Sequence, residues 1–504
     1  MLNLAVRNTK KLIREKSKGD NVRIGRYFTK KPTAALMANM FDVTPAEQIS
    51  VLDPGAGTGI LAAALIERIC TAGGVKIINL TCYETDPEML PMLEKNLERV
   101  RKKCRHDYGV KLVPTVNTNN YIIDRRDSYT VSLFTTPAEK YDYIIMNPPS
   151  ELLDADSPEV LSMRNVCSGA TDIAYLFAAM SVFSLNEGGQ LVTVLPAAVA
   201  TSAYCAKVRA YMFESAPINA LHLFTVPAKA EGEMPKKKKN LIMKLVKADR
   251  PDTIAISSST DDGTPEKTEV LPPVAYDFIV REGDLSLRLI ASNDDLTLIN
   301  KISSLPCTFE SLGLKIRTGL VIESKCREQL RNANEEGAIP LIHPQSIRYG
   351  QVVFPQNTVK NQFIVPSTPS LAQKNRNMIV VKRIPAKSDR HHLLCGIYMA
   401  MQCPHNAYIS THNKLNFIVC EDSAKEIDTP LLYGLYVTLT SDVYERYYRI
   451  TTASSQVNAS ELSTLPLPDA ATIRAMGSKV LMTRQLGDKV CNIVLREALS
   501  LPRQ

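Results

Sequence analysis

The chain reads as an α/β protein: a doubly wound, mostly parallel sheet with helices on both faces, followed by a mixed α+β domain. Two observations carry this reading. Between residues 49 and 247 short apolar runs alternate with longer runs of helical period, as crossover-linked parallel strands require. Beyond residue 270 the alternation stops, and short strand-like and helical runs follow in no fixed order. At 504 residues the chain is also too long for one ordinary core and is expected to form two to three domains.

Taken in order, "ISVLD", "VKIINLTCYE", "YDYIIMN", "GQLVTVL", "INALHLF" and "KNLIMKLV" read as strands. The runs "GILAAALIERIC", "PEMLPMLEKNLERVRKKC" and "ATDIAYLFAAMSVFSLN" read as helices between the first four. Residues 248–270 are polar, aperiodic and rich in Ser, Thr, Asp and Pro, so a linker is expected there. Domains are therefore expected over residues 1–247 and 271–504. In the second, "QVVFP", "MIVVKRI" and "NKLNFIVC" read as strands, while "LLYGLYVTLTSDVYERYYRI" and "VLMTRQLGDKVCNIVLREAL" each read as a helical run. Tyr433, Tyr436, Tyr444, Tyr447 and Tyr448 fall at mainly helical spacing, which favours core packing over base stacking.

Composition narrows the class. A hydrophobic content of 45% with 22% charged residues belongs to a soluble globular protein. The formal net charge of +8 makes a polyanionic partner plausible, since clustered Lys and Arg release counterions from phosphates. Eleven cysteines, with no C-x2-C pair, are expected as reduced, mostly buried thiols. The N-terminus has no continuous apolar core of signal-peptide length, and no run reaches the roughly 18 apolar residues of a membrane span. A cytoplasmic location without membrane contact is expected. The adjacent His391 and His392 would alternate faces in a strand, and no metal is expected.

The stretch "VLDPGAGTGIL" is strand, glycine turn, helix. Gly55, Gly57 and Gly59 permit a tight turn and a close ligand, but the spacing G-x-G-x-G is not the dinucleotide fingerprint and the P-loop Lys-Ser/Thr pair is missing. Asp53 at the mouth of the loop repels a pyrophosphate and suits a ligand carrying an ammonium group, such as S-adenosylmethionine. Glu84, ending the next strand in "CYETDP", stands where a carboxylate can accept from both ribose hydroxyls. The plain alternative is a strand-to-helix turn with an N-cap at Asp86.

"YDYIIMNPPS" ends a strand with Asn147, Pro148, Pro149 and Ser150. An exocyclic amine on a heterocycle is a poor nucleophile because its lone pair is delocalised. If the Asn147 side-chain oxygen and the Pro148 carbonyl each accept one of its hydrogens, the nitrogen moves toward tetrahedral geometry and presents its lone pair to a methyl sulfonium. The prolines fix the backbone that aims the carbonyl.

The order "GRYFTKKPTAALMANMF", "VLDPGAGTGIL", "CYETD", "YDYIIMNPPS" resembles the gamma arrangement of adenine-N6 DNA methyltransferases of restriction-modification systems. Later segments, "ATDIAYLFAAMSVFSLNEGGQLVTVLPAAV" in the first domain and "LKIRTGLVIESKCR", "PLIHPQSI", "IVVKRI" and "SSQVNASELSTLPLP" in the second, resemble the remaining strands and the target-recognition region of that family. The resemblance covers most of the chain. It implies a Rossmann-like S-adenosylmethionine-dependent catalytic domain, double-stranded DNA as substrate with the target adenine flipped out, and a separate restriction endonuclease as a companion. Phe28 and Thr29 would contact the methionine part of the cofactor, Asp53, Gly55 and Gly57 would line its loop, and Glu84 would hold its ribose. Two letters depart from the family. Asn120 stands where an acidic residue usually accepts from the cofactor's adenine amine, and its side-chain oxygen could still accept. Ser150 stands where Tyr or Phe usually stacks on the flipped base, and it cannot stack.

Lys382, Arg383, Lys387 and Arg390 are candidates for phosphate or base contact. Lys236 to Lys239 could touch phosphates or form a solvated hairpin loop. Methylation of RNA or of a protein amide, and a DNA-binding homologue that has lost transfer, stay open as alternatives. No S-x-x-K, G-x-S-x-G, H-E-x-x-H or nuclease-like acidic motif supports a rival chemistry.

Overall fold

The structure is a computed structural model that describes residues 1–15, 28–130, 139–226, 236–357, 359–385, 389, 391–452 and 456–502. The chain forms two compact units, Met1–Asn293 and Asp294–Gln504.

The first unit opens with helices α1 (Leu2–Glu15) and α2 (Lys31–Asn39) and then alternates: β1 (Ala46–Asp53), α3 (Ile60–Ala72), β2 (Val75–Tyr83), α4 (Leu90–Tyr108), β3 (Lys111–Asn117), α5 (Tyr121–Tyr129), β4 (Tyr141–Met146), α6 (Ile173–Phe183), β5 (Leu185–Pro196), α7 (Ala206–Ser215). Strands β6 (Ile218–Val226), β7 (Lys236–Val246), β8 (Thr253–Ser259) and β9 (Thr268–Val270) follow. They build one sheet in the order β9-β8-β6-β7-β5-β4-β1-β2-β3. Strands β3, β2, β1, β4 and β5 pair in parallel, and β7 is antiparallel to both β5 and β6. Neighbouring Val51 and Leu52 of β1 point to opposite faces and are both fully buried, because helices cover both sides of a parallel sheet. In α6 every residue from Ala174 to Val182 is buried, so this helix is apolar all round rather than amphipathic.

Residues 248–270, expected as a linker, hold two strands of the sheet instead. β8 pairs in parallel with β6 and β9 pairs antiparallel with β8, and the unit boundary falls at Asn293/Asp294. The polar look of "TIAISSS" hid a strand whose Ile254 and Ile256 are buried on one face. Its serines are satisfied by partners distant in sequence: the His222 ring lies 2.8 Å from Ser257 Oγ and 3.0 Å from Ser259 Oγ, and Ser258 Oγ donates to the Ala291 carbonyl at 2.7 Å. Hydrogen-bonded hydroxyls can be buried at little cost, which composition alone does not reveal.

The second unit holds two small sheets. Strands β10 (Leu314–Thr318), β11 (Met378–Lys382), β12 (Cys395–Tyr398) and β13 (Leu415–Cys420) belong to the larger, antiparallel along β10-β13-β11-β12. Each long helical run is broken in two. Helices α8 (Thr429–Thr440) and α9 (Asp442–Thr451) are separated at Ser441, which is extended (φ −70°, ψ 147°) and caps α9 by accepting from Tyr444 N. Helices α10 (Ala470–Thr483) and α11 (Asp488–Ala498) are separated at Arg484, with φ 53°. Tyr436, Tyr444, Tyr447 and Tyr448 are buried, as their spacing predicts. All eleven cysteines are free thiols. Among the described residues no helix is long and apolar enough to cross a membrane.

Candidate functional site

The strand order reverses between β1 and β4, and in open α/β sheets ligands bind in the crevice beyond the strand carboxyl ends at such a point. A cavity of about 780 Å³ lies there, walled by the turn after β1, the ends of β2 and β4, and α6. The turn needs its glycines: Gly57 has φ +53° and Gly59 φ +80°, a region L side chains avoid. Thr58 pins the turn from behind. Its hydroxyl meets that of Thr9 at 2.6 Å, and its carbonyl accepts from Asn96 Nδ2 at 2.8 Å. Asn8 Nδ2 donates in turn to Asn96 Oδ1 at 2.6 Å. These α1 and α4 residues were missed in the sequence, where polar letters in helices carry no sign of a buried partner.

Asp53 is not where the sequence reading placed it. Its carboxylate is fully buried behind the turn and does not line the cavity. Oδ2 accepts from Ala62 N in the first turn of α3 at 3.1 Å, while Oδ1 has no partner. Burial pushes its pKa from the ordinary 3.8 to about 7, opposed by the Ala62 bond and assisted by the charge of Glu84. Between pH 4 and 7 the folded state holds a proton the unfolded chain has released, so this group's contribution to stability falls as pH rises through that window. Asp53→Asn, which cannot ionise, is expected to flatten the slope. Urea unfolding from pH 4 to 8 should show the variant gaining on the wild type by up to roughly 4 kcal/mol.

Glu84 does line the cavity. Its carboxylate accepts from Gly57 N and from Asp86 N, each at 2.7 Å, which ties the end of β2 to the glycine turn. Asp86 forms a turn, accepting from Glu88 N at 2.8 Å, and α4 itself begins later, with Met89 at its N-cap position.

Phe28 lines the same cavity, and a Cβ built on Gly57 would lie 4.0 Å from its ring. Asn120 borders it too, but its side-chain oxygen caps α5, accepting from Ile122 N at 3.0 Å and Ile123 N at 3.3 Å. Its amide donates to Glu159 at 2.8 Å. The expected free acceptor at Asn120 is therefore already committed.

Asn147 lines the cavity and Thr29 does not, but the two, 118 residues apart, meet: Asn147 Nδ2 donates to Thr29 Oγ1 at 3.1 Å. With the nitrogen end anchored, Oδ1 is the end left for a ligand. Pro148 is buried and Pro149 exposed, and both line the cavity with Ser150. Ser150 Oγ donates to Asp172 Oδ2 at 2.7 Å, while Asp172 Oδ1 caps α6 by accepting from Ala174 N at 3.0 Å. Asp before the apolar run "IAYLF" was a readable N-cap signal, but its link to Ser150 was not.

The candidate DNA contacts lie in the second unit. Lys382, ending β11, is paired with Asp389 at 2.7 Å and largely shielded, so it is not a free cation. Arg383 is half-buried in the turn that follows, where its carbonyl accepts from Val457 N at 2.8 Å. Lys387 and Arg390 fall outside the described residues. Lys236 to Lys239 belong to strand β7 in the first unit, not to a loop.

One group of metal-ligand type occurs among the described residues: Glu323, His343 and His412 bring ligand atoms within 4.8 Å of one another. Its hydrogen bonds fix the protons. His412 Nδ1 accepts from Lys414 N at 3.0 Å, leaving the proton on Nε2, which faces Glu323 at 3.6 Å. His343 Nε2 lies 3.0 Å from the Asn361 carbonyl and so must donate to it. Each imidazole is thus bonded to a backbone group outside the triad.

The sheet order and the cavity at its reversal define the S-adenosylmethionine-dependent methyltransferase fold. No family model matches the chain. It is similar to the Type II methyltransferase M.PstI of Providencia stuartii, 27% identical over 469 residues that cover 91% of this chain and 89% of that protein. The Type II methyltransferase M.BsuBI of Bacillus subtilis is 25% identical over 464 residues, 91% of this chain and 90% of that one. Among solved structures, the Type IIL restriction-modification enzyme MmeI in complex with DNA is alike in fold. It is 11% identical with a TM-score of 0.51, and the match covers 100% of this chain and 74% of that one.

Proposed function

We propose that the chain is a site-specific DNA methyltransferase that transfers a methyl group from S-adenosylmethionine to the exocyclic N6 of a flipped-out adenine in double-stranded DNA. The observation that carries the reading is the anchored amide of Asn147, presenting Oδ1 in the cavity that Glu84 and the glycine turn also line. Relatives that are Type II methyltransferases, matched over nine-tenths of the chain, support the same class. The role of protective partner to a separate restriction endonuclease, in the cytoplasm, follows from it.

The residues present fit the cofactor. A side chain at Gly57 would reach toward Phe28 and narrow the cradle, and Glu84 offers carboxylate oxygens for ribose hydroxyls beside it. The bound cofactor supplies a methyl group on a sulfonium. Asn147 Oδ1 and the Pro148 carbonyl accept the two amine hydrogens of adenine and localise its lone pair. Thr29 holds the Asn147 amide in the orientation that makes this possible. Asp53 acts one layer back, bonding the start of α3 and not the ligand. The unit Asp294–Gln504 reads the target sequence, and an extruded base leaves the duplex to enter the cavity.

Expression in a host lacking adenine methylation, followed by sequencing that detects modified bases, tests the reading. N6-methyladenine at one short sequence is expected. A purified chain that binds DNA at one site yet leaves every adenine unmodified would instead be a silent binding homologue.

A further inference from the structure

Resting on the reading above, we infer that Tyr204 supplies the aromatic platform for the flipped base that Ser150 cannot provide. The side chain at position 150 is short, and its hydroxyl is committed to Asp172, so no ring stands directly after the two prolines. Asp172 is the hub of a small cluster. Residues Leu152 and Leu153 pair antiparallel with Asp172 and Thr171, which folds the segment after Ser150 back against the start of α6.

Tyr204 reaches this cluster from another element. It sits in a short 3-10 turn, Ala203–Cys205, beyond the carboxyl end of β5. β5 pairs in parallel with β4, so that end lies on the same edge of the sheet as Asn147. The Tyr204 side chain lies beside Thr171 and Asp172, one side chain away from Ser150 and outside the lining of the cavity itself. The buried Tyr175 ring packs edge-on against it, with centroids 6.4 Å apart. Braced on one side by Tyr175, the ring is nonetheless 54% exposed. Leu152 is exposed beside the same ladder. A phenol held in this way loses little further rotamer freedom when a base stacks on it, and every base offers a π-face.

Single-turnover transfer to an unmethylated duplex carrying the recognised sequence, found as above, tests the assignment. Tyr204→Ala is expected to transfer roughly 5- to 150-fold more slowly, with S-adenosylmethionine affinity and thermal midpoint unchanged. Tyr204→Phe keeps the ring and stays within about fivefold of the wild type. Adding Ser150→Tyr to Tyr204→Ala should recover most of the loss, because it restores a ring beside the two prolines; a merely structural tyrosine would not be rescued from that position. The assignment falls if Tyr204→Ala transfers at the wild-type rate, or if it loses rate together with thermal stability and Ser150→Tyr restores nothing. A wild type that methylates no DNA overturns the proposed function and the platform with it, an outcome separate from the other two.

Discussion

On the proposed function, Asn147→Ala is expected to lower methyl transfer by about 10²- to 10³-fold while S-adenosylmethionine affinity changes by less than about threefold. The magnitude is that of removing one preorganised polar group aimed at developing charge. The split between rate and binding follows from when the proposed contact acts: the amide oxygen would meet the substrate amine most strongly as that nitrogen becomes tetrahedral, and an interaction made only in the transition state appears in kcat. Asn147 Nδ2 touches Thr29 in the free protein, so the substitution also frees one hydroxyl. That bond is neutral and partly buried, worth about 1 kcal/mol, too little to disturb the cavity. Tritium transfer from labelled cofactor in a single turnover, with calorimetry on the same preparation, measures both quantities. Equal losses in affinity and rate would place Asn147 in cofactor binding instead.

Gly434→Ala is expected to destabilise the second unit by about 3 kcal/mol or more. Helices α8 and α10 approach so closely that a Cβ on Gly434 would lie 1.8 Å from the Ile473 carbonyl oxygen, and one on Gly477 would lie 1.9 Å from that of Pro430. Both obstructing atoms are backbone, so no rotamer change relieves the overlap and the helices must part. Gly487→Ser is the control. Nothing lies within 4 Å of a Cβ there, and Gly487 is an N-cap with φ −73°, where Ser is favoured. Urea unfolding should show a lowered midpoint for Gly434→Ala and an unchanged or raised one for Gly487→Ser.

These effects rest on features that were legible to different degrees. The sequence by itself determined the alternating sheet, the glycine turn, Glu84 at the end of β2, and Asn147 at the end of β4. Each is encoded within a short window by apolar period, turn chemistry and a polar letter at a strand terminus. It also determined that four of the five tyrosines of α8 and α9 pack inward, Tyr433 alone being half-buried, since their spacing is helical. Only the tertiary structure decided the rest. Asp53 and Asn120 sit at the expected chain positions, yet one is turned behind the loop onto α3 and the other spends its oxygen on capping α5. Lys382 is matched by Asp389 across a turn, and "TIAISSS" is a sheet strand because His222 and Ala291 satisfy its serines. The edge-on contact between Tyr175 and Tyr204 likewise joins separate elements. In each case the deciding fact is a partner on another element, a pairing across a turn, or a side chain's direction at a terminus, and a buried polar group is stabilised by whichever partner the fold brings within reach, since going without one is costly.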